Sequence, residues 1–374
     1  MSIQIKEVLT KKDLRKWVDF PNKLYKNVPA YVPFLIPDEI GTFSKKENPA
    51  YAFCDTKLFL AYKEGKIVGR IGALINHAAN KKWNTNAIRF TRFDFIDDYE
   101  VSSALFNEVV KWGKENGLTS AMGPIGFTDM DHEGMLVEGF NELNMSITFY
   151  NHPYYLEHMQ KLGLVKDMDW VEYQLTVPTE IDPKLEKMSE FLQKRNGYKL
   201  VTYTDRKQLL ADAYEAFKVI DESFSVLYGT VPLTDEVINK AIADNIPILN
   251  LKYVCSVRDK DNNLVGFALL VPSIAKALKK SNGRLLPFGI FRMLKALKGK
   301  NDTLEMYFIA VKPEHQKKGL PAILMHYMLK TCIENGIKIC ETGPELEVNE
   351  NVQSLWKGFD VRNHKRRRCF KKEI

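Results

Sequence analysis

A pattern in the first half of the chain returns 219 residues later in the second half. A helical pattern that ends at 111–117 and is followed by Gly-Pro is matched by 330–336, which is again followed by Gly-Pro. Glu-Asn-Gly alone is a common helix end, because glycine adopts the left-handed conformation there. The order of elements around it is also shared, namely strand, helix, hairpin, strand and helix. The sequence therefore predicts two similar domains, 1–176 and 185–374, in an α/β (α+β) fold.

The composition is that of an ordinary globular protein. The 374 residues are 45% hydrophobic, which is enough for cores of normal size. No apolar run reaches the roughly 18 to 20 residues of a membrane span, and the first residues lack the pattern of a signal peptide. The five cysteines are scattered, which predicts reduced, buried thiols and no metal site. We therefore expect a cytoplasmic protein, and its net charge of +7 favours an anionic partner.

The second domain contains a predicted strand, a basic turn and a helix in succession. Glu305–Val311 is rich in β-branched and aromatic residues, Lys312–Gly319 is basic, and an apolar helical pattern begins at Leu320. The first turn of such a helix leaves N–H groups without partners at the positive end of the helix dipole. Lys317 and Lys318 add positive charge. The turn is therefore predicted to hold a phosphate, and a solvated basic turn is the alternative.

This segment resembles the GNAT acyltransferases, in which a strand is followed by Q/R-x-x-G-x-G/A. The motif here runs from Gln316 to Ala322 and departs from that pattern at Pro321, which removes one possible donor. The resemblance implies two tandem GNAT-like domains, each with a mixed, mostly antiparallel sheet flanked by helices. It also implies acyl-CoA, acetyl-CoA or longer, as co-substrate, held by backbone groups of the strand and by the turn. The implied cofactor-binding residues are Ile309, Ala310, Val311, Gln316, Lys317, Lys318, Gly319, Leu320, Pro321, Ala322 and Asn349.

The same resemblance implies catalytic residues on the strand. A glutamate at the position of Glu305 acts as general base in histone-type GNAT enzymes, and the alternative is an exposed carboxylate at the start of a strand. Tyr307 lies on the same face two residues on, and is a secondary candidate for acid or water positioning. Farther along, Trp356 falls where the family commonly has the tyrosine that protonates the thiolate. Indole cannot act as that acid, so the acid is left open.

The two copies differ at the anion position. Asp97, Asp98 and Glu100 precede the helix of the first domain and would repel a pyrophosphate. We therefore expect the first domain not to bind CoA in the ordinary way and to shape the acceptor site instead. Its aromatic segment Tyr150–Tyr155 is interpreted as packing, and a contribution to a substrate cleft is the alternative.

An insertion at 272–303 interrupts the second domain. Within it, Leu286, Ile290, Met293, Leu294 and Leu297 fall on one helical face, opposite basic residues. Such a helix usually covers the protein's own core, and a lipid-facing or membrane-surface helix is the alternative. The paired domains and this insertion resemble the YghO-like GNAT proteins, some of whose relatives are linked to N-acylation of long-chain bases. Peripheral contact with the inner membrane face is thus a second expectation for location.

The C-terminal run 362–372 is the densest cluster of charge in the chain. We interpret it as a last strand with an exposed basic face. A nucleic-acid role would require interleaved aromatic residues, and only Phe370 is present. The sequence lacks the motifs HExxH, GxSxG and GxxxxGK[ST], which argues against a metalloprotease, a serine hydrolase and a P-loop nucleotide triphosphatase.

The sequence thus predicts an acyl-CoA-dependent N-acyltransferase that acts on a primary amine, either a small molecule or a lipid amine. The alternative is a non-catalytic module that has kept the fold to bind CoA or another ligand, and Pro321 and Trp356 motivate it. The acceptor, the acyl length and the oligomeric state do not follow from the sequence.

Overall fold

The computed structural model describes residues 2–374, whose two halves pass through nearly the same series of elements. The first half contains β1 (Gln4–Glu7), α1 (Lys11–Leu24), α2 (Ile36–Thr42), β2 (Cys54–Lys63), β3 (Lys66–Asn76), α3 (His77–Trp83), β4 (Ala87–Phe95), α4 (Tyr99–Glu115), β5 (Ser120–Gly123), β6 (Met135–Glu138), α5 (Tyr155–Lys161) and β7 (Val165–Thr176). The second half contains α6 (Pro183–Asn196), β8 (Lys199–Thr202), α7 (Arg206–Phe224), α8 (Asp235–Asn245), β9 (Val254–Arg258), β10 (Leu264–Pro272), α9 (Ala275–Ser281), α10 (Gly289–Lys298), β11 (Thr303–Val311), α11 (Leu320–Glu334), β12 (Ile339–Thr342), β13 (Glu345–Leu346), α12 (Glu350–Gln353) and β14 (Val361–Glu373). Short 3₁₀ turns cover Pro49–Ala52, Leu251–Tyr253, Pro313–Lys318 and Ser354–Trp356.

Local sequence signals set many of these boundaries. The hydroxyl of Thr10 accepts the backbone N–H of Asp13 (3.1 Å) and begins α1. Glu64 and Gly65 both have positive φ, so a two-residue turn joins β2 to β3. Gly117 after α4 and Gly336 after α11, the glycines of the repeated helix end, have φ of 70° and 69°. These elements agree with the sequence predictions because short-range chemistry determines each of them.

The strands form one continuous sheet in the order β1-β2-β3-β4-β5-β14-β7-β12-β11-β10-β9-β8, with β6 paired to β14 and β13 paired to β7. In each half the pairing is antiparallel except for one parallel pair, β4 with β5 and β11 with β12. The last strand of each half crosses to the other half, since β14 pairs with β5 and β7 pairs with β12. The predicted division at 176 and 185 stays a prediction, and this exchange joins the two halves into a single sheet.

Buried ion pairs hold the crossing strands together. Lys365 of β14 lies 3.1 Å from Oε2 of Glu172 on β7, and Arg367 pairs with the same carboxylate. All three side chains are fully buried. Burial alone would raise the pKa of Glu172, but the two cations lower it to about 2. The expected exposed basic face of the C-terminal strand is therefore wrong in part, because these two cations neutralise an internal charge.

The hydrophobic core lies on both faces of the sheet. In the second half, α11 packs on one face and α7, α8 and α10 pack on the other, with alternate residues of β10 pointing to each side. The five cysteines are free and buried. These two layers surround the place where β11 and β12 separate.

Candidate active site

A cavity opens where the parallel strands β11 and β12 separate. Their pairing ends at Met306 and Thr342, and the N–H of Gly343 still bonds the carbonyl of Met306 (3.1 Å). Beyond that point the cavity occupies about 1020 Å³. This is the upper end of the roughly 300–1,000 Å³ range of small-molecule sites. The open strand edge places backbone groups and side chains in the wall of one cavity.

Most of the cavity wall is apolar, and it draws on both faces of the sheet. The residues that form it in the second half include Leu209, Ala213, Ile220 and Phe224 of α7, Leu269 and Val271 of β10, Met293 and Leu297 of α10, Ile309, Ala310 and Val311 of β11, and Ala322, Leu324, Met325 and Met328 of α11. The same cavity is therefore lined by the β11 residues and by the three turn residues Gln316, Lys317 and Gly319 that were predicted to bind acyl-CoA.

Glu305 is buried behind Tyr307, which lines the cavity. Its carboxylate accepts from the hydroxyl of Ser273 (2.7 Å), and the hydroxyl of Ser146 approaches it at 3.3 Å. The hydroxyl of Tyr307 lies 3.5 Å from Glu305 Oε2 and 3.4 Å from the Ser146 hydroxyl. Glu305 is 1% exposed, so the alternative of an exposed carboxylate is wrong.

Burial raises the pKa of Glu305 to about 7, against the opposing hydrogen bond from Ser273. A carboxylate with a pKa near 7 is suited to accept a proton from an amine at neutral pH. Burial also raises the pKa of Tyr307 well above its usual range. The tyrosine therefore stays protonated, and its hydroxyl connects the cavity with the carboxylate.

The basic turn has the predicted position next to the cavity. Gly319 has φ of 75° and begins α11, and Pro321 occupies the first turn of that helix, where a missing N–H costs little. Lys317 and Lys318 are exposed to solvent. The geometry is that of an anion cradle at a helix N-terminus.

Three residues of the motif are engaged within the protein. The side chain of Gln316 donates to the carbonyl of Val311 (3.2 Å), and the N–H of Ala322 donates to the carbonyl of Gly319 (3.0 Å). Leu320 is fully buried in the core beneath the turn. The predicted roles of these residues in cofactor binding stay predictions.

A second carboxyl group lies on the α11 side of the cavity. Glu345 follows the end of β12, and its Oε1 accepts from the indole N–H of Trp356 (2.9 Å). Its Oε2 is buried without a partner among residues 2–374. Burial raises the pKa of Glu345 to about 7, against the opposing hydrogen bond from the Trp356 indole. Asn349 also lines the cavity and begins α12, where its side chain accepts from Val352 N–H (3.4 Å).

The first half contributes residues that sequence analysis missed. Ile147 lines the cavity next to Gly343, and Ser146 contacts Glu305 as described above. Asp129 and Glu133 also line it, and burial raises the pKa of each carboxyl. Three carboxylates within the nine residues 126–134 were a signal that could have drawn attention to this loop.

The aromatic segment predicted as packing does pack. The hydroxyl of Tyr154 donates to the carbonyl of Phe95 (2.6 Å), and the hydroxyl of Tyr150 donates to that of Phe140 (3.1 Å). None of 150–155 lines the large cavity among the described residues. The alternative of a contribution to a substrate cleft is therefore not supported, and 129–133 and 147 occupy that place.

Residues 2–374 lack two other kinds of feature. No group of three or more His, Cys, Asp or Glu side chains in this part of the chain is arranged to hold a metal ion. None of its helices combines the length and the apolar composition that crossing a bilayer would require.

Known proteins resemble this chain in sequence and in fold. Residues 240–360 match the acetyltransferase (GNAT) family. Protein YghO of Escherichia coli (strain K12) is 24% identical over 99% of this chain and 95% of its own length. A bacterial ceramide synthase of Caulobacter vibrioides (strain NA1000 / CB15N) is 23% identical over 98% of this chain and 96% of its own.

Solved structures share the fold of this chain. A tandem GNAT protein from the clavulanic acid biosynthesis pathway has a TM-score of 0.58, with 12% identity over 100% of this chain and 98% of its own. A GCN5-related N-acetyltransferase from Sphaerobacter thermophilus has a TM-score of 0.51, with 10% identity over 99% of this chain and 95% of its own. Residues 240–360 thus match the GNAT acetyltransferase family in sequence, and the whole chain has the fold of a solved tandem GNAT protein.

Proposed function

We propose that the protein transfers an acyl group from acyl-CoA to the primary amine of a long-chain or lipid acceptor. The observation that carries this proposal is the apolar cavity of about 1020 Å³ that joins the basic turn to the Tyr307–Glu305 pair. A small amine and an acetyl group would leave most of that volume empty. The relative named a ceramide synthase supports a lipid acceptor.

The residues present fit an acyl-CoA thioester. The edge of β11 beyond Met306 offers backbone groups to an extended amide chain, and the turn at Gly319 offers a helix N-terminus and two lysines to phosphates. The thioester supplies the activated carbonyl carbon. The protein's own residues have to take a proton from the amine and return one to the departing sulfur.

Glu305 accepts the ammonium proton by way of the Tyr307 hydroxyl, so that the amine nitrogen can form a bond to the carbonyl carbon. The nitrogen then releases its second proton to solvent as the C–S bond breaks, and the sulfur carries the electron pair of that bond. Protonated Glu345 supplies the proton to this thiolate, in place of the tyrosine that Trp356 replaces. The two carboxyl groups lie on opposite faces of the sheet, and each has a pKa of about 7, so that one can act as the base and the other as the acid.

The polar end of the acceptor would lie near Asp129 and Glu133. These two carboxyl groups interrupt a mainly apolar wall, and they come from the half that lacks the basic turn. Their unpaired oxygens Oδ1 and Oε2 can accept hydrogen bonds from hydroxyl or amino groups. This supports the expectation that the first half shapes the acceptor site.

The test measures free CoA released from acetyl-CoA, octanoyl-CoA and palmitoyl-CoA, with propylamine or dodecylamine as acceptor. We expect amine-dependent release that is faster with dodecylamine and is lost in Glu305→Gln, while calorimetry still detects CoA binding. Binding of CoA without release for any pair would favour a non-catalytic module. Equal rates with the two amines would refute the long-chain acceptor and leave acyl transfer standing.

A further inference from the structure

We infer that the segment 275–300 docks the protein on the surface of an anionic phospholipid bilayer, with α10 lying along it. This inference deepens the proposed function, because it supplies the source of a lipid acceptor. It depends on a surface of the structure that the acyl-transfer chemistry does not use.

The first observation concerns charge. The segment contains eight of the 54 Lys and Arg residues and no Asp or Glu. The remaining 46 basic residues are outnumbered by the 47 acidic ones, so the rest of the chain has a net charge of −1. The segment therefore has a larger net positive charge than the whole protein. The C-terminal run 362–372 has seven Lys and Arg residues, but six of them pair with carboxylates.

The second observation is that few of these cations have an acidic partner. Among residues 2–374, Lys276 lies 3.5 Å from Asp302 and Arg284 lies 3.9 Å from Asp19, and no other cation of the segment is within 4 Å of a carboxylate. Arg292, Lys295 and Lys298 are exposed along α10. Cations without acidic partners on one surface are available to an external anion.

The third observation is an apolar surface among these cations. Leu286, Phe288 and Phe291 are 78%, 63% and 67% exposed, and Ile290 and Leu294 are about 40% exposed. The expectation that this helix covers the protein's own core is therefore wrong for most of the predicted face. Exposed aromatic and aliphatic side chains surrounded by cations are typical of helices that lie in a membrane interface.

The inner side of the same helix contacts the cavity. Met293 and Leu297 line it, as does Ile274 just before α9. The apolar surface that we assign to the bilayer thus adjoins the apolar wall of the proposed acceptor site on one helix. A lipid amine that leaves the bilayer at α10 therefore starts beside a helix that lines the cavity.

A bilayer fits the segment better than a nucleic acid does. Phosphate groups would explain the cations, but nucleic acid would leave Leu286, Ile290 and Leu294 without partners. Bases stack on aromatic rings and do not bury aliphatic side chains of this kind. Lipid headgroups and acyl chains satisfy both classes of residue.

The test is co-sedimentation of the full chain with vesicles of phosphatidylcholine alone or with 30% phosphatidylglycerol, in 0.1 M NaCl. We expect binding to the anionic vesicles only. At roughly fivefold per cation near such a surface, Lys295→Gln with Lys298→Gln should weaken binding about 30-fold. The control is Lys111→Gln with Lys114→Gln, a pair with the same spacing on an exposed face of α4, which should bind like the parent.

A second pair of variants tests the apolar contact. Phe291→Asp should abolish most of the binding that remains in 0.5 M NaCl, where charge attraction is screened. Phe191→Asp on α6, at 56% exposure, should have no effect. Both positions are exposed, so melting temperatures should match the parent.

Three results would overturn the inference. They are absence of binding to the anionic vesicles, equal losses in the α10 and α4 lysine pairs, and tighter binding of the segment to duplex DNA or RNA than to vesicles. Acylation of dodecylamine in detergent is measured separately. If the protein acylates dodecylamine but does not bind vesicles, the docking is refuted and the proposed function stands. If it binds vesicles but has no activity, the proposed function is refuted and the docking stands.

Discussion

Replacing Glu305 by Gln should increase the stability of the protein while abolishing its activity. Glu305 is buried, and its pKa in the folded protein is about 7 against an ordinary value of 4.5. Between these two pH values the folded state binds a proton that the unfolded state releases. Stability therefore falls as the pH rises through this window, and the full cost is reached above pH 7.

The size of the effect follows from the two pKa values. At about 1.4 kcal/mol for each pH unit between 4.5 and 7, ionised Glu305 destabilises the fold by about 3 kcal/mol at pH 8. Glutamine has nearly the same shape, and its carbonyl can still accept from Ser273. With an unfolding entropy of about 2 cal/mol/K per residue over 374 residues, this corresponds to about 4 °C in melting temperature.

The assay is thermal melting of the parent and of Glu305→Gln at pH 5 and pH 8. We expect the variant to melt about 4 °C higher than the parent at pH 8 and within 1–2 °C of it at pH 5. Glu190→Gln on the exposed side of α6 is the control and should follow the parent at both pH values. A variant that melts below the parent at pH 8 would show that ionised Glu305 stabilises the fold through its partners. That result would refute the argument that burial of this charge destabilises the fold.

Three further predictions test other parts of the site. Charge reversal at Lys317 and Lys318 should weaken CoA binding by roughly 1–3 kcal/mol in calorimetry. Charge reversal at the control pair Lys111 and Lys114 of α4 should leave CoA binding unchanged. Equal losses of affinity would mean that the overall charge of the protein governs binding. In the parent protein, kcat/KM should depend on pH with a bell shape centred near pH 7. In Glu345→Gln the falling limb at high pH should be lost, and kcat should be reduced about 10²-fold or more. An unchanged pH profile would exclude this residue as the acid. Arg367→Met leaves a buried Glu172 with one cation fewer and should lower the unfolding free energy by about 3–5 kcal/mol in urea denaturation, and a change below 1 kcal/mol would contradict the assigned role of that pair.

Sequence alone determined the features that depend on near neighbours in the chain. The repeated helix end, the hairpin at Glu64 and Gly65, and the strand, turn and helix from Glu305 onward are set by propensities and caps within a few residues. The resemblance of that segment to GNAT enzymes identified the fold, and most of the site residues that it implied line one opening of the sheet.

Tertiary structure alone decided the environment of those residues. Burial raises the pKa of Glu305 to about 7, and Ser146, one of the residues that contacts its carboxylate, is 159 residues away in the chain. The strand exchange that buries Lys365 and Arg367, the carboxyl groups of the first half in the cavity wall, and the exposure of α10 are likewise products of long-range packing. Burial and desolvation depend on which distant segments cover a side chain, and no local pattern in the sequence specifies that.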